Sequence, residues 1–272
     1  MDDDQFRRLL NCFGLSWSGY RKVRRGVKKR IRRHMKALGC QDFEVYLAAL
    51  DNDQALREKC ELLMTVSISR FFRDRGFWET LENQILPGII TGDTERAKVW
   101  FAGCACGEEV FSFAIVWDRL RERFQALPEI KILATDVNLV YLRRAQEGLY
   151  SLSSLKEVPE DVRSKYFKRQ GEANQYRIAS SLERGISWRL HHLLHDPPDP
   201  GFHLIFLRNN LLTYYRDALK TPAFLKVADC LVPGGILIIG SHEKLPLETA
   251  DLLPYRGYSY VFQNRNPSTS DK

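Results

Sequence analysis

Seven residues in one short stretch, Gly103-Cys104-Ala105-Cys106-Gly107-Glu108-Glu109, follow the β-rich run Val99-Trp100-Phe101-Ala102. Small residues and glycines after a strand let a ligand come close to the backbone before a helix begins. The stretch is no dinucleotide fingerprint, because GxGxxG is absent, and no Walker loop, because no Gly-Lys-Ser/Thr follows. Two carboxylates at the turn disfavour a phosphate and suit an amine or a positive charge; carboxylates in a helix's first turn also serve as ordinary dipole compensation. A second run ends Leu133-Ala134-Thr135-Asp136, where doubly wound sheets put an acid on the two hydroxyls of a ribose. Helix capping before Leu139 is the other role open to Asp136. Taken together, the turn at Gly103 with its two carboxylates and Asp136 describe a pocket for a nucleoside that carries an amino acid, S-adenosylmethionine.

The remaining reactive side chains suggest no second chemistry. The six cysteines include no CxxC pair, and Cys104-Ala105-Cys106 supplies two of the usual four zinc ligands. His191, His192 and His195 share one stretch, but alternation along a strand sends 191 and 192 to opposite faces, so no metal site is expected.

The elements that must position these residues alternate from residue 98 onward. Short β-rich runs at 98–102, 131–135, 187–193, 202–208, 236–240 and 258–264 are separated by helical patterns, notably 108–126, 139–146 and 217–231. That order predicts a parallel sheet wound on both faces, with ligands above the carboxyl ends of its strands. A less regular insert near 150–186 holds a helix at 159–167 and a small hairpin around Tyr176. Upstream, helical patterns at 4–12, 21–38, 42–50 and 53–63 form a small bundle over residues 1–64. A linker with a connecting helix at 76–85, stopped by Pro87 and Gly88, fills 65–97, and the tail 267–272 is read as disordered. The fold class is therefore α/β, a doubly wound Rossmann-like sheet over 98–266 with a small N-terminal helical domain and a small insert.

Charge is concentrated in one place. The chain carries a net charge of +7, and residues 1–60 hold 14 Lys/Arg against 8 Asp/Glu. Ten of the sixteen positions from Arg21 to Lys36 are basic, while Tyr20, Val23, Val27, Ile31, Met35 and Leu38 recur at steps of three or four. Like charges at i,i+4 oppose helix formation by a few tenths of a kcal/mol per pair. So many repulsive pairs point to a binding surface, for which acidic protein, nucleic acid and a membrane surface all qualify. No apolar run approaches the roughly 18 residues of a membrane span, and the start Met1-Asp2-Asp3-Asp4 is no signal peptide, so a cytoplasmic location is expected.

Over residues 5–264 these motifs resemble the chemotaxis receptor methyltransferases, the CheR family. The resemblance rests on the basic N-terminal helix, Ser69-Arg70-Phe71-Phe72-Arg73-Asp74 with Phe77-Trp78, the 102–112 turn with Gly-Glu-Glu, and Ala134-Thr135-Asp136-Val137. It continues through Gly148-Leu149-Tyr150, Arg208-Asn209, and Pro233-Gly234-Gly235 leading to Gly240-Ser241-His242-Glu243. It implies transfer of a methyl group from S-adenosylmethionine to glutamate side chains, leaving S-adenosylhomocysteine. It also implies roles by position. Ser67 and Ser69 lie where polar residues touch the cofactor, Arg73 matches an arginine near the methyl-donor site, and Glu109 matches the carboxylate at the methionine end. Asp136 matches the one on the ribose, and His192, Leu193, Arg208 and Asn209 fall at the other cofactor contacts. The expected partner is an acidic helical protein such as a chemoreceptor cytoplasmic domain, met by Arg21, Arg24, Arg25, Lys28, Lys29 and Arg32. Nucleic acid and membrane insertion are not expected.

The sequence departs from the family at several positions. His192 stands where Asn is usual, His203 where Asp is usual, Leu207-Arg208-Asn209-Asn210 replaces Cys-Arg-Asn-Val, and Thr213 replaces a tyrosine placed near the reacting methyl. The short turn Arg169-Gln170-Gly171-Glu172-Ala173-Asn174 lacks a glycine-rich insertion and disfavours binding of a receptor tail. A glutamate side chain, with a pKa near 4.3, is already an anion at neutral pH, so attack on a sulfonium methyl needs positioning rather than a general base. Two other readings stand beside this one: a cofactor-binding regulatory or scaffold protein with weakened catalysis, and a methyltransferase of the same fold with a different acceptor.

Overall fold

The computed structural model describes residues 1–67, 69–90, 95–124, 127–171 and 174–265. The tail 267–272 lies outside them, as do Glu172 and Ala173 of the short turn. Helices α1 (Asp3–Cys12), α2 (Trp17–Tyr20), α3 (Arg24–Ala37), α4 (Phe43–Asn52) and α5 (Gln54–Met64) come first. Acidic caps start three of them: Asp2 forms a capping box with Gln5, and the Asp42 and Asp53 side chains accept from the first turns of α4 and α5. Their apolar faces close on one another, with Phe6, Leu9, Ile31 and Tyr46 fully buried.

The basic segment is shorter than the sequence predicts. Residues 21–23 form a turn between α2 and α3, so Arg21 and Tyr20 are not on the basic helix. Some of the like-charge strain is also relieved locally, because Asp3 pairs with both Arg24 (3.3 Å) and Lys28 (2.9 Å).

The connecting helix differs as well. α6 (Arg75–Thr80) runs through one π-helical turn, Leu81–Ile85, into α7 (Leu86–Ile90), so Pro87 and Gly88 do not end it. A π-helical turn is a local break in the regular hydrogen-bond ladder, and here it lies just before the proline, which has no N–H to donate.

The second part builds β1 (Arg96–Ala102), α8 (Glu108–Arg123), β2 (Glu129–Asp136) and α9 (Leu139–Glu147) before the insert. The insert holds β3 (Leu149–Ser151), α10 (Glu160–Tyr166), β4 (Phe167–Gln170) and β5 (Gln175–Ile178), whose strands pair antiparallel in the order β3-β5-β4. β6 (Ile186–Leu190), β7 (Phe202–Leu207), α11 (Leu211–Tyr214), α12 (Asp217–Ala228), β8 (Leu231–Ile239), β9 (Leu252–Pro254) and β10 (Val261–Asn264) complete the chain.

The main sheet has seven strands in the order β6-β2-β1-β7-β8-β10-β9. The first five run parallel and β10 is antiparallel to both its neighbours. Its two faces carry separate cores, one around Phe101, Phe113 and Phe206, the other around Trp100, Ile205 and Phe224. Strand order reverses beside β1, which is flanked by β2 on one side and β7 on the other, and such a switch point opens a crevice at the carboxyl ends. β9 escapes sequence reading because it is a three-residue edge strand ending in proline. Among the described residues no helix is long and apolar enough to cross a membrane.

The helical bundle meets the sheet at that crevice. Ser16 N–H donates to the Tyr214 carbonyl (2.7 Å), Arg216 N–H donates to the Gly14 carbonyl (2.9 Å), and Leu15 bridges to Tyr215. α2 lies so close to α11 that a Cβ on Gly19 would strike the Thr213 carbonyl.

Candidate functional site

A cavity of about 840 Å³ lies at the carboxyl ends of β1, β2 and β7, walled on the other side by α2, α5 and the linker. It is within the range of roughly 300 to 1,000 Å³ usual for small-molecule sites. Ser67, Ser69, Arg73, Gly103, Glu109, Asp136, His192, Leu193, Arg208 and Asn209 all line it, so the structure brings the ten sequence-derived cofactor candidates to one cavity. Of the six basic candidates only Arg21 does so. Arg24, Arg25, Lys28, Lys29 and Arg32 lie on α3, where Arg25, Lys29 and Arg32 are exposed and Arg32 donates to the Met1 carbonyl (2.6 Å).

Asp136 is 9% exposed. One carboxylate oxygen accepts from Ala105 N–H (2.9 Å) and the other from Asn138 N–H (2.8 Å). The helix cap that Asp136 could have supplied belongs to Asn138, which accepts from Val140 N–H (3.0 Å). Burial raises the Asp136 carboxyl above its ordinary range, against the pull of the N–H donors of Asn138, Ala105 and Val137. The turn it holds needs glycine: Gly103 has φ +87°, and a Cβ there would strike the Asn210 amide, which donates to the Ala102 carbonyl.

The two glutamates of the turn divide their roles. Glu109 takes a guanidinium N–H of Arg208, whose other arm reaches Asp74 (2.9 Å) while its face stacks 4.1 Å from the Phe77 ring. The Arg208 side chain is only 4% exposed, so it ties the linker to the first turn of α8. Glu108 is turned into the core, bonded by the Ser69 hydroxyl, and burial raises its carboxyl.

Arg73 sits between two strained residues, Phe72 (φ 53°) and Asp74 (φ 64°). Left-handed backbone costs a non-glycine residue about 1–2 kcal/mol, and here it is held by Phe72 N–H donating to Ser112 Oγ (2.9 Å), the Arg208–Asp74 pair and Trp78 Nε1–H on the Arg73 carbonyl (2.9 Å). Strain kept in place by so many bonds marks a position whose direction matters.

The departures separate by location. His192 lies beyond the end of β6 rather than on a strand: its Nδ1 accepts from Leu194 N–H (3.1 Å), which leaves Nε2–H for Glu61 at 3.0 Å. The same early end of β6 removes the alternation argument for His191 and His192, and His191 instead donates to the Asp196 carbonyl (3.0 Å). No group of three or more His, Cys, Asp or Glu side chains among the described residues is placed to hold a metal ion. His203 is at the opposite end of β7 from the cavity, where its Nδ1 accepts from Lys98 N–H (3.1 Å), so it lends no support to weakened catalysis. Thr213 does line the cavity, with its hydroxyl donating to Glu243. The other Glu243 oxygen accepts from Asn209 N–H (2.9 Å) and Gly240 N–H (2.7 Å).

Several wall residues were not among the sequence candidates. Glu243 ends the run Gly240-Ser241-His242-Glu243, which by itself gives the carboxylate no role. Tyr20 reads in sequence as part of an apolar stripe, yet its hydroxyl donates to the Met64 carbonyl (3.0 Å) and its ring packs 5.0 Å from that of Tyr214. Glu61 and Tyr215 carry no local sequence signal, because only the docking of the bundle brings them to the cavity.

A seven-stranded sheet of this order, with a glycine turn after β1 and an acid closing β2, defines a Rossmann-like methyltransferase. A cavity wall bearing Glu109, Asp136 and Glu61 suits a cofactor with an ammonium and a sulfonium charge. The chain belongs to the CheR methyltransferase family, whose S-adenosylmethionine-binding domain matches residues 67–260. It is 34% identical over 245 residues to a chemotaxis protein methyltransferase of Listeria innocua, covering 90% of each chain. It is 26% identical over 254 residues to one of Borreliella burgdorferi, covering 89% of this chain and 88% of the relative. Likeness to solved structures is remote: the N-methyltransferase NodS of Bradyrhizobium japonicum, in complex with S-adenosyl-L-homocysteine, gives a TM-score of 0.37 at 16% identity, covering 67% of this chain and 70% of that one. The cofactor is S-adenosylmethionine.

Proposed function

We propose that the chain esterifies glutamate side chains on the cytoplasmic domain of a chemoreceptor-like protein. The observation that carries this reading is Arg73, fixed by its strained neighbours in the wall of a cavity that also bears Glu61, Glu109 and Asp136. Bound S-adenosylmethionine supplies an electrophilic methyl and a thioether leaving group. The acceptor carboxylate needs no base, so the protein's task is alignment, and holding the reacting atoms about 3–3.5 Å apart and in line is worth on the order of 7–11 kcal/mol. Asp136 holds the ribose, Glu109 faces the amino-acid arm, and Arg73 orients the acceptor through a charge-assisted bond. No proton changes hands. The protein acts in the cytoplasm, where receptor signalling domains lie.

Thr213 supports a second reading, a cofactor-binding regulator with weakened catalysis, because its hydroxyl is committed to Glu243 and a threonine brings no phenol to the methyl. The two separate in one assay: methyl-labelled cofactor is incubated with a receptor cytoplasmic fragment and the methanol released by mild base is counted. Label above background, sharply reduced in Arg73→Ala with cofactor affinity kept, supports the enzyme. Bound cofactor without transferred label supports the regulator.

A further inference from the structure

Four of the acids lining the cavity are engaged: Asp136 by backbone N–H groups, Glu109 by Arg208, Glu61 by His192 and Glu243 by Thr213. Among its cations Arg208 is buried in its pairs with Glu109 and Asp74, whereas others stand exposed at the opening. Arg21 and Lys22 come from the turn after α2, Arg70 from the linker, and Lys244 from the loop after β8, all exposed, with Lys220 of α12 beside them. Asp217 offsets Lys220 (2.8 Å) and Glu157 offsets Arg70 (3.3 Å). Arg21, Lys22 and Lys244 have no ion-pair partner among the described residues.

We propose that this rim reads carboxylates flanking the acceptor glutamate, with Lys22 and Lys244 as its main specificity residues. The inference rests on the reading of the acceptor given above and names what surrounds it. On a helical substrate, residues three and four positions either side of the acceptor share its face, so those carboxylates arrive at the rim when the acceptor enters the cavity. The rim draws its cations from segments far apart in the chain, which suits flanks on both sides of the acceptor. It is separate from α3, none of whose exposed cations Arg25, Lys29, Arg32, Arg33 and Lys36 lines the cavity. A charged opening over a protein-walled cleft also concentrates field at the entrance.

The test uses the full chain with a chemoreceptor cytoplasmic fragment, and with the same fragment carrying Glu→Gln changes three and four residues either side of the acceptor. Wild-type kcat/KM is expected to fall about three- to tenfold on the neutralised fragment, as a few exposed ion pairs acting together give. The ratio should collapse in Lys22→Glu/Lys244→Glu, and in the wild type near 1 M salt, where the screening length is about 3 Å. Calorimetric cofactor binding and a melting curve verify that the double variant is folded. Fluorescence anisotropy of both fragments measures binding without turnover. A fragment bound with carboxylate dependence but never esterified overturns the catalytic reading and leaves the rim standing. A fragment esterified equally well whatever its flanks, or with the same ratio in the double variant, overturns the rim and leaves the reaction standing. Neither binding nor transfer overturns both.

Discussion

Backbone N–H groups of Ala105 and Asn138 each hold one oxygen of the Asp136 carboxylate, which fixes its direction in the cavity wall, and a carboxylate so fixed can still accept from a ribose hydroxyl. Asp136→Ala is expected to weaken cofactor and demethylated product by about 1.5–3 kcal/mol, roughly ten- to a hundredfold, in calorimetry; equal affinities would remove the ribose assignment. Glu108 sits one residue from Glu109 and behaves differently. Its Oε2 is buried without a partner, and burial raises its carboxyl. For a group raised on folding, the protein favours the protonated form, so stability present at low pH is lost as pH rises through the folded value. Glu108→Gln, neutral at every pH and still able to bond Ser69, is therefore expected to melt higher than wild type at pH 8. The gap should close as the pH falls toward the ordinary carboxyl value of about 4.3. A gap independent of pH would show that Glu108 is ionised in the fold at no cost.

The one-turn helices α2 and α11 couple the bundle to the cavity, and Gly19 is what lets them touch. Gly19→Ala is expected to cost about 1–3 kcal/mol in denaturant unfolding, the usual price of overpacking against backbone, and to weaken cofactor binding by displacing Tyr214. Unchanged unfolding would mean that the two helices part freely. Elements with strong periodicity, such as α8 and the parallel strands, were legible in the sequence because their burial patterns are local. The errors fell where tertiary contacts decide. β6 stops at Leu190 because His192 turns away to Glu61, Pro87 is accommodated after a π-helical turn, and α2 is too short to show a period. The position of the glycine turn and Asp136 at the cavity could be read because they end the first two strands of a doubly wound sheet, whose carboxyl ends face the crevice. Glu61 and Tyr215 could not, since any helix face or loop can carry a glutamate or tyrosine.

The molecule as a whole presents two positive regions, the cavity rim and the outer face of α3. If the α3 face docks an acidic partner, reversing Arg25, Lys29 and Arg32 to Glu should raise KM for the receptor fragment and flatten its salt dependence, with cofactor affinity unchanged. A merely solvated face would leave KM where it was. Sequence reading placed the charge correctly but not its geometry, because helix α3 begins three residues later than the basic run and Asp3 draws two of its cations inward. All of these arrangements serve a single claim, that the cavity delivers a methyl group to a carboxylate. Single-turnover reaction of the cofactor-loaded protein with a receptor cytoplasmic fragment, followed by peptide mass spectrometry before and after mild base, tests it most directly. The expected result is one added methyl on a glutamate, removed by base. A base-stable methyl on lysine, arginine or a backbone terminus, or no added methyl from a protein with cofactor bound, would contradict it.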